Sequence, residues 1–169
     1  MVIWITGLSG AGKSSISKVL ETRLRERGSV LARLDGDEVR RIINDPHTAH
    51  DRESRLRNAY RISRMAAFLE SQEILTLVAT MSLHKEIHQW NRANFQQYLE
   101  VWVTADLAVL KARDGKGLYS KVERGEERHL PGIDLDYDAP QNPHLTLVNN
   151  GHDQNFEPLV DQILEVAGL

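Results

Sequence analysis

The run Gly-Leu-Ser-Gly-Ala-Gly-Lys-Ser at residues 7–14 constrains the fold of this chain more than any other part of its sequence. It matches the pattern G-x-x-x-x-G-K-[ST], in which backbone N–H groups of a glycine-rich loop converge on phosphate oxygens. The loop follows an apolar run at 2–6, which predicts a buried strand, and precedes apolar residues at helical spacing. This context favours a nucleotide-binding loop over an incidental turn, because the helix adds its positive N-terminal end.

Two side chains at the end of this run have distinct predicted roles. Lys13 supplies a mobile positive charge to the β- and γ-phosphates of ATP, and Ser14 supplies a hydroxyl for Mg²⁺. We therefore expect ATP and Mg²⁺ as cofactors, with Lys13 also acting in catalysis. The predicted nucleotide-binding residues of the loop are Gly7, Ser9, Gly10, Ala11, Gly12, Lys13, Ser14 and Ser15.

The rest of the chain alternates between short apolar runs and longer amphipathic segments. Strands are predicted at 2–6, 29–34, 74–79, 100–104 and 145–148. Helices are predicted from residue 13 to a C′ glycine at 28, and at 38–43, 51–71, 85–98, 106–113 and 158–166. Because parallel strands need helical crossovers, this alternation predicts an α/β fold, a P-loop NTPase-type three-layer sandwich with a parallel sheet and a lid insertion.

Residues 114–143 form a stretch too long to be an ordinary connection in a compact domain. It and its flank hold five basic residues, and a cationic lid of this kind would neutralise the charge of phosphoryl transfer and expel water. The alternative is an ordinary exposed insertion, because three glutamates lie among these bases. With 169 residues, we expect a single P-loop kinase domain over 1–169, with 114–143 as its lid. The bases are Arg113, Lys116, Lys121, Arg124 and Arg128.

The composition excludes several classes of function. The chain has no cysteine, which rules out a disulfide scaffold, a cysteine nucleophile and Cys-ligated metal sites, and fits a cytoplasmic location. A formal net charge of −3 gives no reason to expect a nucleic-acid polymer as partner. No apolar run of about 18 residues is present, so no membrane-spanning segment is expected.

Among nucleotide-binding proteins, the sequence favours a small-molecule kinase. The guanine-reading tetrapeptide Asn-Lys-x-Asp of GTPases does not occur. Residues 114–117 resemble the D-x-x-G switch, but they follow a predicted helix rather than a strand. Motor and transporter ATPases are normally larger than this chain.

Asp35 and Asp37 follow the second predicted strand. In a parallel sheet the carboxyl ends of the strands face the ligand crevice, so these carboxylates could hold Mg²⁺ or accept the proton of an attacking hydroxyl. The alternative for Asp37 is that it caps the helix starting at Glu38. We expect Asp35 and Asp37 to be catalytic residues, with Ser14 and Asp35 as metal ligands.

Arginines cluster after these carboxylates, at 40–41 and at several positions of the predicted long helix. Most of them are expected to form a solvated basic face. Arg40 and Arg55 flank the break between the two helices, and we expect them to form a bidentate anion clamp.

Together with the phosphate loop, four further blocks in this chain resemble the adenylylsulfate (APS) kinase family. They are Leu-Asp-Gly-Asp-x-Val-Arg at 34–40, Arg-x-x-Asn-x-x-Arg-Ile at 55–62, Ala-Arg-Asp-x-Lys-Gly-Leu-Tyr at 112–119 and Gly-Ile-Asp-x-x-Tyr-x-Ala-Pro-x-Asn-Pro at 132–143. The resemblance implies a homodimeric Mg-ATP enzyme that phosphorylates the 3′-hydroxyl of adenylyl sulfate, in sulfate assimilation.

Carried over by position, the resemblance also implies roles for individual residues. Arg113 would pack on the ATP base, while Lys116 and Leu118 match lid positions. Ser82 falls where the family has a serine in the acceptor pocket, although a polar residue ending a strand is the ordinary alternative. The acceptor-binding residues implied in this way are Asp37, Arg40, Arg55, Asn58, Met81, Ser82, Lys116, Leu118 and Leu130.

The chain departs from the family at two positions. His50 and Leu130 stand where the family usually has aromatic residues that sandwich the adenine of the acceptor. Base–aromatic stacking contributes about 1–3 kcal/mol per base, so losing both rings would weaken the binding of adenylyl sulfate.

Several acceptors therefore stay open at the level of sequence. The family default is adenylyl sulfate, and a divergent branch acts on cytidine diphosphoramidate in capsule modification. Trp-Asn-Arg at 90–92 and the apolar Leu130 resemble that branch. The further alternatives are an acceptor that is not a nucleotide and a regulatory nucleotide-binding module without catalysis.

Overall fold

The computed structural model describes residues 1–45, 51–151 and 155–169, and a parallel β-sheet lies at its centre. The strands are β1 Val2–Thr6, β2 Leu31–Asp35, β3 Leu75–Thr80, β4 Tyr98–Thr104 and β5 Leu145–Val148. They are arranged in the order β2-β3-β1-β4-β5, and every neighbouring pair is parallel. The first strand is therefore central, and the loop that follows it lies in the middle of the sheet edge.

Helices connect these strands. They are α1 Lys13–Glu26, α2 Gly36–Ile43, α3 Arg52–Ser71, α4 Lys85–Asn94, α5 Leu107–Ala112, α6 Leu118–Glu123 and α7 Glu157–Ala167. The C′ position after α1 is Gly28, with a φ of 82°, as the sequence predicted. Among the described residues, no helix is both long and apolar enough to cross a lipid bilayer.

The two faces of the sheet bury different side chains, and β1 illustrates this with full burial along its length. Ile3 and Ile5 pack on one face in a cluster with residues of α1 and α7. Val2 and Trp4 point to the other face and pack with residues of α2, α3 and α4. Helices on both faces of a parallel sheet make three layers, so the predicted fold class is confirmed.

The structure corrects the predicted helix over 85–98. Helix α4 ends at Asn94, and Phe95 is already extended, with φ −83° and ψ 140°. Phe95 is buried against the rings of Trp4 and Trp90, at centroid distances of 6.3 and 5.9 Å. Tyr98 then pairs with Val2 in the sheet. The segment 85–98 is polar, so its sequence did not indicate that a strand begins at Tyr98. The start of this strand depends on contacts with residues elsewhere in the chain.

The segment 114–143 contains a short helix, α6, that the sequence did not predict. The carboxylate of Asp114 organises its first turn: it accepts hydrogen bonds from the Tyr119 N–H at 3.1 Å and the Ser120 N–H at 2.8 Å. The buried side chain of Tyr119 fixes α6 to the core, and its hydroxyl donates to the Ser9 carbonyl at 2.9 Å. The helix thus depends on tertiary contacts.

The far end of segment 114–143 is fastened to the sheet through a buried charge. Glu100 of β4 is fully buried, and it accepts hydrogen bonds from Arg92 and, at 3.1 Å, from the Tyr98 hydroxyl. Arg92 also donates to the carbonyls of Asn142 at 2.8 Å and Gln141 at 3.1 Å. The segment is therefore anchored at both ends, while its middle lies over the carboxyl ends of the strands.

Candidate active site

The loop after β1 takes a conformation that only glycine permits at two positions. A Cβ at Gly7 would lie 2.1 Å from the Val103 carbonyl oxygen, so the loop passes directly against β4. Gly12 has a φ of 98°, and a Cβ there would lie 2.6 Å from Asn149 Nδ2. That amide nitrogen instead donates to the Ala11 carbonyl at 2.9 Å. The loop backbone therefore packs against β4 and is hydrogen-bonded to Asn149, which follows β5.

Lys13 begins α1 and turns back over the loop. Its ammonium group donates to the Leu8 carbonyl at 2.7 Å. Burial, followed by the positive charge of Lys116, lowers the pKa of Lys13 to about 8, against the attraction of Asp37 and Asp35. A phosphate bound in the loop would favour the charged form of Lys13, because the anion offsets the cost of burying the ammonium group.

Ser14 and Asp35 are brought together from the starts of α1 and α2. The serine hydroxyl donates to Asp35 Oδ2 at 2.6 Å, and Asp35 Oδ1 accepts from the Asp37 N–H at 3.0 Å. Asp35 is therefore the N-cap of α2. The alternative that Asp37 caps a helix starting at Glu38 is wrong, since the helix begins at Gly36 and Asp37 leaves its side chain in the cleft.

This pair also fits the metal that the sequence suggested. A hydroxyl and a carboxylate oxygen 2.6 Å apart are hard oxygen donors of the kind Mg²⁺ takes in nucleotide sites, where phosphates and water complete its shell. Within the described ranges no group of three or more His, Cys, Asp or Glu side chains is placed to hold a metal ion. The fit is therefore to a cation shared with nucleotide phosphates.

Asp37 forms an ion pair with Lys116 of segment 114–143. Burial favours the neutral acid, but the hydrogen bond and charge of Lys116 hold the pKa of Asp37 below its ordinary value. Both side chains remain more than 60% exposed, so solvent screens the pair. The contact brings a residue of segment 114–143 against the cleft opposite the loop.

Two arginines form the cationic part of the cleft beyond Asp37. Arg40 is on α2, and its Nε is buried without a hydrogen-bond partner among the residues that the structure describes. Arg55 is on α3, and its guanidinium donates to the His129 carbonyl at 3.2 Å. Burial and then the charge of Arg40 lower the pKa of Arg55. Two neighbouring guanidinium groups in a half-buried cleft favour an anionic ligand.

The loop, the carboxylates and the arginines line one continuous cavity of about 330 Å³. Every residue that the sequence assigned to the acceptor lies on its wall, beside Ser9, Lys13, Ser14 and Asp35 of the nucleotide end. Their individual roles stay predictions. The acceptor candidates brought together in this cavity are Asp37, Arg40, Arg55, Asn58, Met81, Ser82, Lys116, Leu118 and Leu130.

Arg113 lies apart from the wall of this cavity. Its guanidinium donates to the Asn149 carbonyl at 2.9 Å and to the carbonyl of Gly151. This position is beside the end of β5, close to the loop that Asn149 supports. Its packing on the ATP base remains a prediction.

The cavity also contains residues that the sequence did not single out. Thr80 ends β3, and its hydroxyl accepts from Ser82 at 3.1 Å. A Cβ at Gly36 would lie 2.7 Å from Thr80 Oγ1, so α2 starts in close contact with β3. The sequence did offer one signal for Thr80 as a site residue, because it is a small polar residue at the end of a predicted strand. The other missed wall residues are Ala59, Ala79, Val122 and Glu127, and Arg128, which was predicted as a base of the lid, also lies on the wall.

The two departures from the family pattern have different outcomes. His50 lies outside the described residues. Leu130 is 3% exposed and packs in the core cluster that includes Tyr119, while also contributing to the cavity wall. Its N–H donates to Asp134 Oδ1 at 2.6 Å. An aliphatic side chain is therefore firmly placed on the acceptor side of the cleft.

Known proteins resemble this chain over nearly all of its length. The family model of adenylylsulphate kinase matches residues 1–148. The cytidine diphosphoramidate kinase of Campylobacter jejuni is 35% identical over 168 residues, which are 99% of this chain and 96% of that protein. The adenylyl-sulfate kinase of Staphylococcus carnosus is 36% identical over 167 residues, 98% of this chain and 82% of that protein.

A solved structure gives the same result in three dimensions. The Mycobacterium tuberculosis APS kinase, in complex with AMPPNP and APS, superposes with a TM-score of 0.90 at 32% identity. The match covers 99% of this chain and 97% of that one. Sequence and structure agree, and the chain belongs to the adenylylsulphate kinase family of phosphotransferases.

Proposed function

We propose that this protein transfers the γ-phosphoryl group of ATP to a hydroxyl of a small anionic nucleotide-type acceptor. The observation that carries the proposal is the single cavity that joins Lys13 of the phosphate loop to Asp37 and Arg40. Phosphoryl transfer depends chiefly on positioning two substrates and neutralising charge. A cleft with a phosphate loop at one end and cationic donors at the other meets both needs.

At the nucleotide end, Lys13 would stabilise the charge that builds on the transferring phosphoryl group. Ser14 and Asp35 would hold Mg²⁺ together with the phosphates of ATP. When bound, the ion neutralises phosphate charge and orients the oxygens. The Asn149 and Tyr119 contacts hold the loop backbone in place for the same task.

Asp37 is our candidate for the residue that accepts the proton of the acceptor hydroxyl. Both oxygens of Asp35 are already engaged, one by the Ser14 hydroxyl and one by the Asp37 N–H. Among the described residues, the Asp37 carboxylate forms the screened ion pair with Lys116, which a substrate can replace. Since its pKa is held low, Asp37 is ionised at neutral pH and ready to orient the hydroxyl.

Segment 114–143 would act as the lid of this cleft. Tyr119 and Arg92 anchor its ends through the Ser9 and Asn142 carbonyls, and Lys116 lies over the junction between the two proposed substrate sites. Closure of such a segment expels water that would otherwise hydrolyse ATP. We also propose, from the family resemblance, that the protein works as a homodimer, which light scattering at assay concentrations would test.

Adenylyl sulfate is the family default for the acceptor, and cytidine diphosphoramidate is the second candidate. The observation that favours the second is Leu130, which places an aliphatic group where an aromatic platform for adenine is usual. A pyrimidine has a smaller face and depends less on such a platform. Both compounds are small anions that Arg40 and Arg55 can bind.

A coupled ADP-release assay with Mg²⁺ and a panel of acceptors tests the proposal. We expect saturable turnover with one or both candidates and only slow ADP release without an acceptor. Preference for adenylyl sulfate at micromolar concentration would show that Leu130 does not favour cytidine diphosphoramidate as the acceptor. ATP binding without turnover on any acceptor, and no effect of Asp35→Asn, would support a regulatory module instead.

A further inference from the structure

Among the residues that the structure describes, three carboxylates line the cavity, and the proposed phosphoryl transfer accounts for two of them. Asp35 is bound to Ser14 at the proposed metal site, and Asp37 is paired with Lys116 near the acceptor hydroxyl. Glu127, which follows α6, has no task in this scheme. A third negative charge in a site for an anion weakens binding unless the ligand offers it a hydrogen-bond donor.

The surroundings of Glu127 leave its carboxylate available. Its side chain is 35% exposed, and the nearest cation, Lys121, is 3.7 Å from Oε1, beyond hydrogen-bond distance. Within residues 1–45, 51–151 and 155–169 the carboxylate accepts no hydrogen bond, whereas the carboxylate of the neighbouring Glu126 is bound to Arg124 at 2.6 Å. Glu127 therefore lines the cavity as an unused acceptor.

Apolar side chains accompany Glu127 on this part of the wall. Leu118 and Val122 of α6 line the cavity with it, and Leu130 follows three residues later. The combination of aliphatic surface and one carboxylate that accepts no hydrogen bond from the described residues suits a flat heterocyclic ring that carries an amino group. Carboxylates accept from the N4 amino group of cytosine in this way.

We propose that Glu127 determines base specificity by accepting a hydrogen bond from the exocyclic amino group of the acceptor's base. The inference rests on the proposed function and deepens it, since cytosine and adenine both carry such a group. It requires that the enzyme reject acceptors whose base has a keto oxygen in that place. Arg40 and Arg55 bind the anionic part of the acceptor, and Glu127 selects the base.

The test measures kcat/KM for two matched pairs of acceptors. One pair is cytidine and uridine diphosphoramidate, and the other is adenylyl sulfate and its inosine analogue. For the pair that is turned over, we expect wild-type protein to prefer the amino-bearing member by about tenfold to a hundredfold, the range that one base-edge contact provides. In Glu127→Gln the preference should fall close to equality, because the amide can donate to a keto oxygen.

Glu126→Gln is the matched control, because Glu126 is exposed and paired with Arg124 rather than placed in the cavity. It should keep the wild-type preference, and neither variant should change the KM for ATP. Turnover with a preference unchanged in Glu127→Gln, or a wild-type enzyme indifferent to the amino group, overturns the inference alone. No turnover with any of the four compounds overturns the proposed function, and the inference with it.

Discussion

The two ends of the active-site cleft are built by different means. At the nucleotide end, backbone groups form most of the site. Gly7 and Gly12 let the loop pass against other strands, and the Asn149 side chain donates to the Ala11 carbonyl of the loop. At the acceptor end, side chains from α2, α3, the end of β3 and segment 114–143 form the wall, and they include an Arg40 nitrogen that lacks a partner in the described chain. A backbone-built site resists change, whereas a side-chain-built site can change its ligand by a few substitutions.

The largest expected effect tests the nucleotide end. Lys13→Ala should lower kcat by about a hundredfold to a thousandfold, because it removes a positioned charge from the transferring phosphoryl group. Stopped assays of ADP formation measure it, and an unchanged melting temperature shows that the fold is intact. Activity near the wild-type value would mean that the glycine-rich loop does not hold the phosphoryl donor.

A smaller effect, confined to one substrate, is expected at the acceptor end. Arg55→Ala should raise the KM of the acceptor by about tenfold to a hundredfold, the loss typical of a charged hydrogen bond, with little change in the KM of ATP. Initial-rate kinetics with each substrate varied in turn measure the split.

Arg57→Ala is the matched control for that experiment. Arg57 lies on the same helix, but it is exposed and pairs with Glu53 at 3.3 Å. The control should leave both KM values unchanged. A larger rise in the KM of ATP than of the acceptor in Arg55→Ala would place this arginine at the wrong end of the cleft.

A third experiment tests how easily the acceptor end changes its ligand. Leu130→Phe should lower the KM of adenylyl sulfate several-fold, because it restores one aromatic surface, and stacking on such a surface contributes about 1–3 kcal/mol. The KM of cytidine diphosphoramidate should change less. Leu130 is buried, so the melting temperature must be measured in parallel. An equal change for both acceptors would show that residue 130 does not distinguish their bases.

The smallest expected effect is a pH dependence at the nucleotide end. Burial lowers the pKa of Lys13 to about 8, so the lysine is charged below that pH and loses its proton above it. Phosphate binding favours the charged form, and the KM of ATP should therefore rise as the pH increases from 8 to 9. Lys13→Arg, which stays charged, should lack this rise, and a parallel rise in both proteins would assign it to another group.

Sequence reasoning succeeded where the information is local. The phosphate loop, the strand β1 and the carboxylates after β2 are encoded by short runs whose meaning does not depend on distant contacts. It failed at the end of α4 and at α6, where Phe95 packs on Trp4 and Tyr119 reaches Ser9. Those contacts join residues far apart in the chain.

The candidate site shows the same division. Arg40, Arg55 and Asn58 were recognisable because their spacing matches a family pattern, and all three line the cleft. Glu127 was overlooked as part of a mixed-charge surface stretch, and Arg128 was predicted only as a base of the lid. Their place on the wall depends on how the chain turns after α6, which no local pattern in 124–130 specifies.

The ion pair between Asp37 and Lys116 bears on how easily segment 114–143 can move away from the cleft. A contact between two such exposed groups contributes about 0–1 kcal/mol, comparable with thermal energy. It would therefore make only a weak latch for the proposed lid: if segment 114–143 closes over the cleft through this contact, thermal motion suffices to open it.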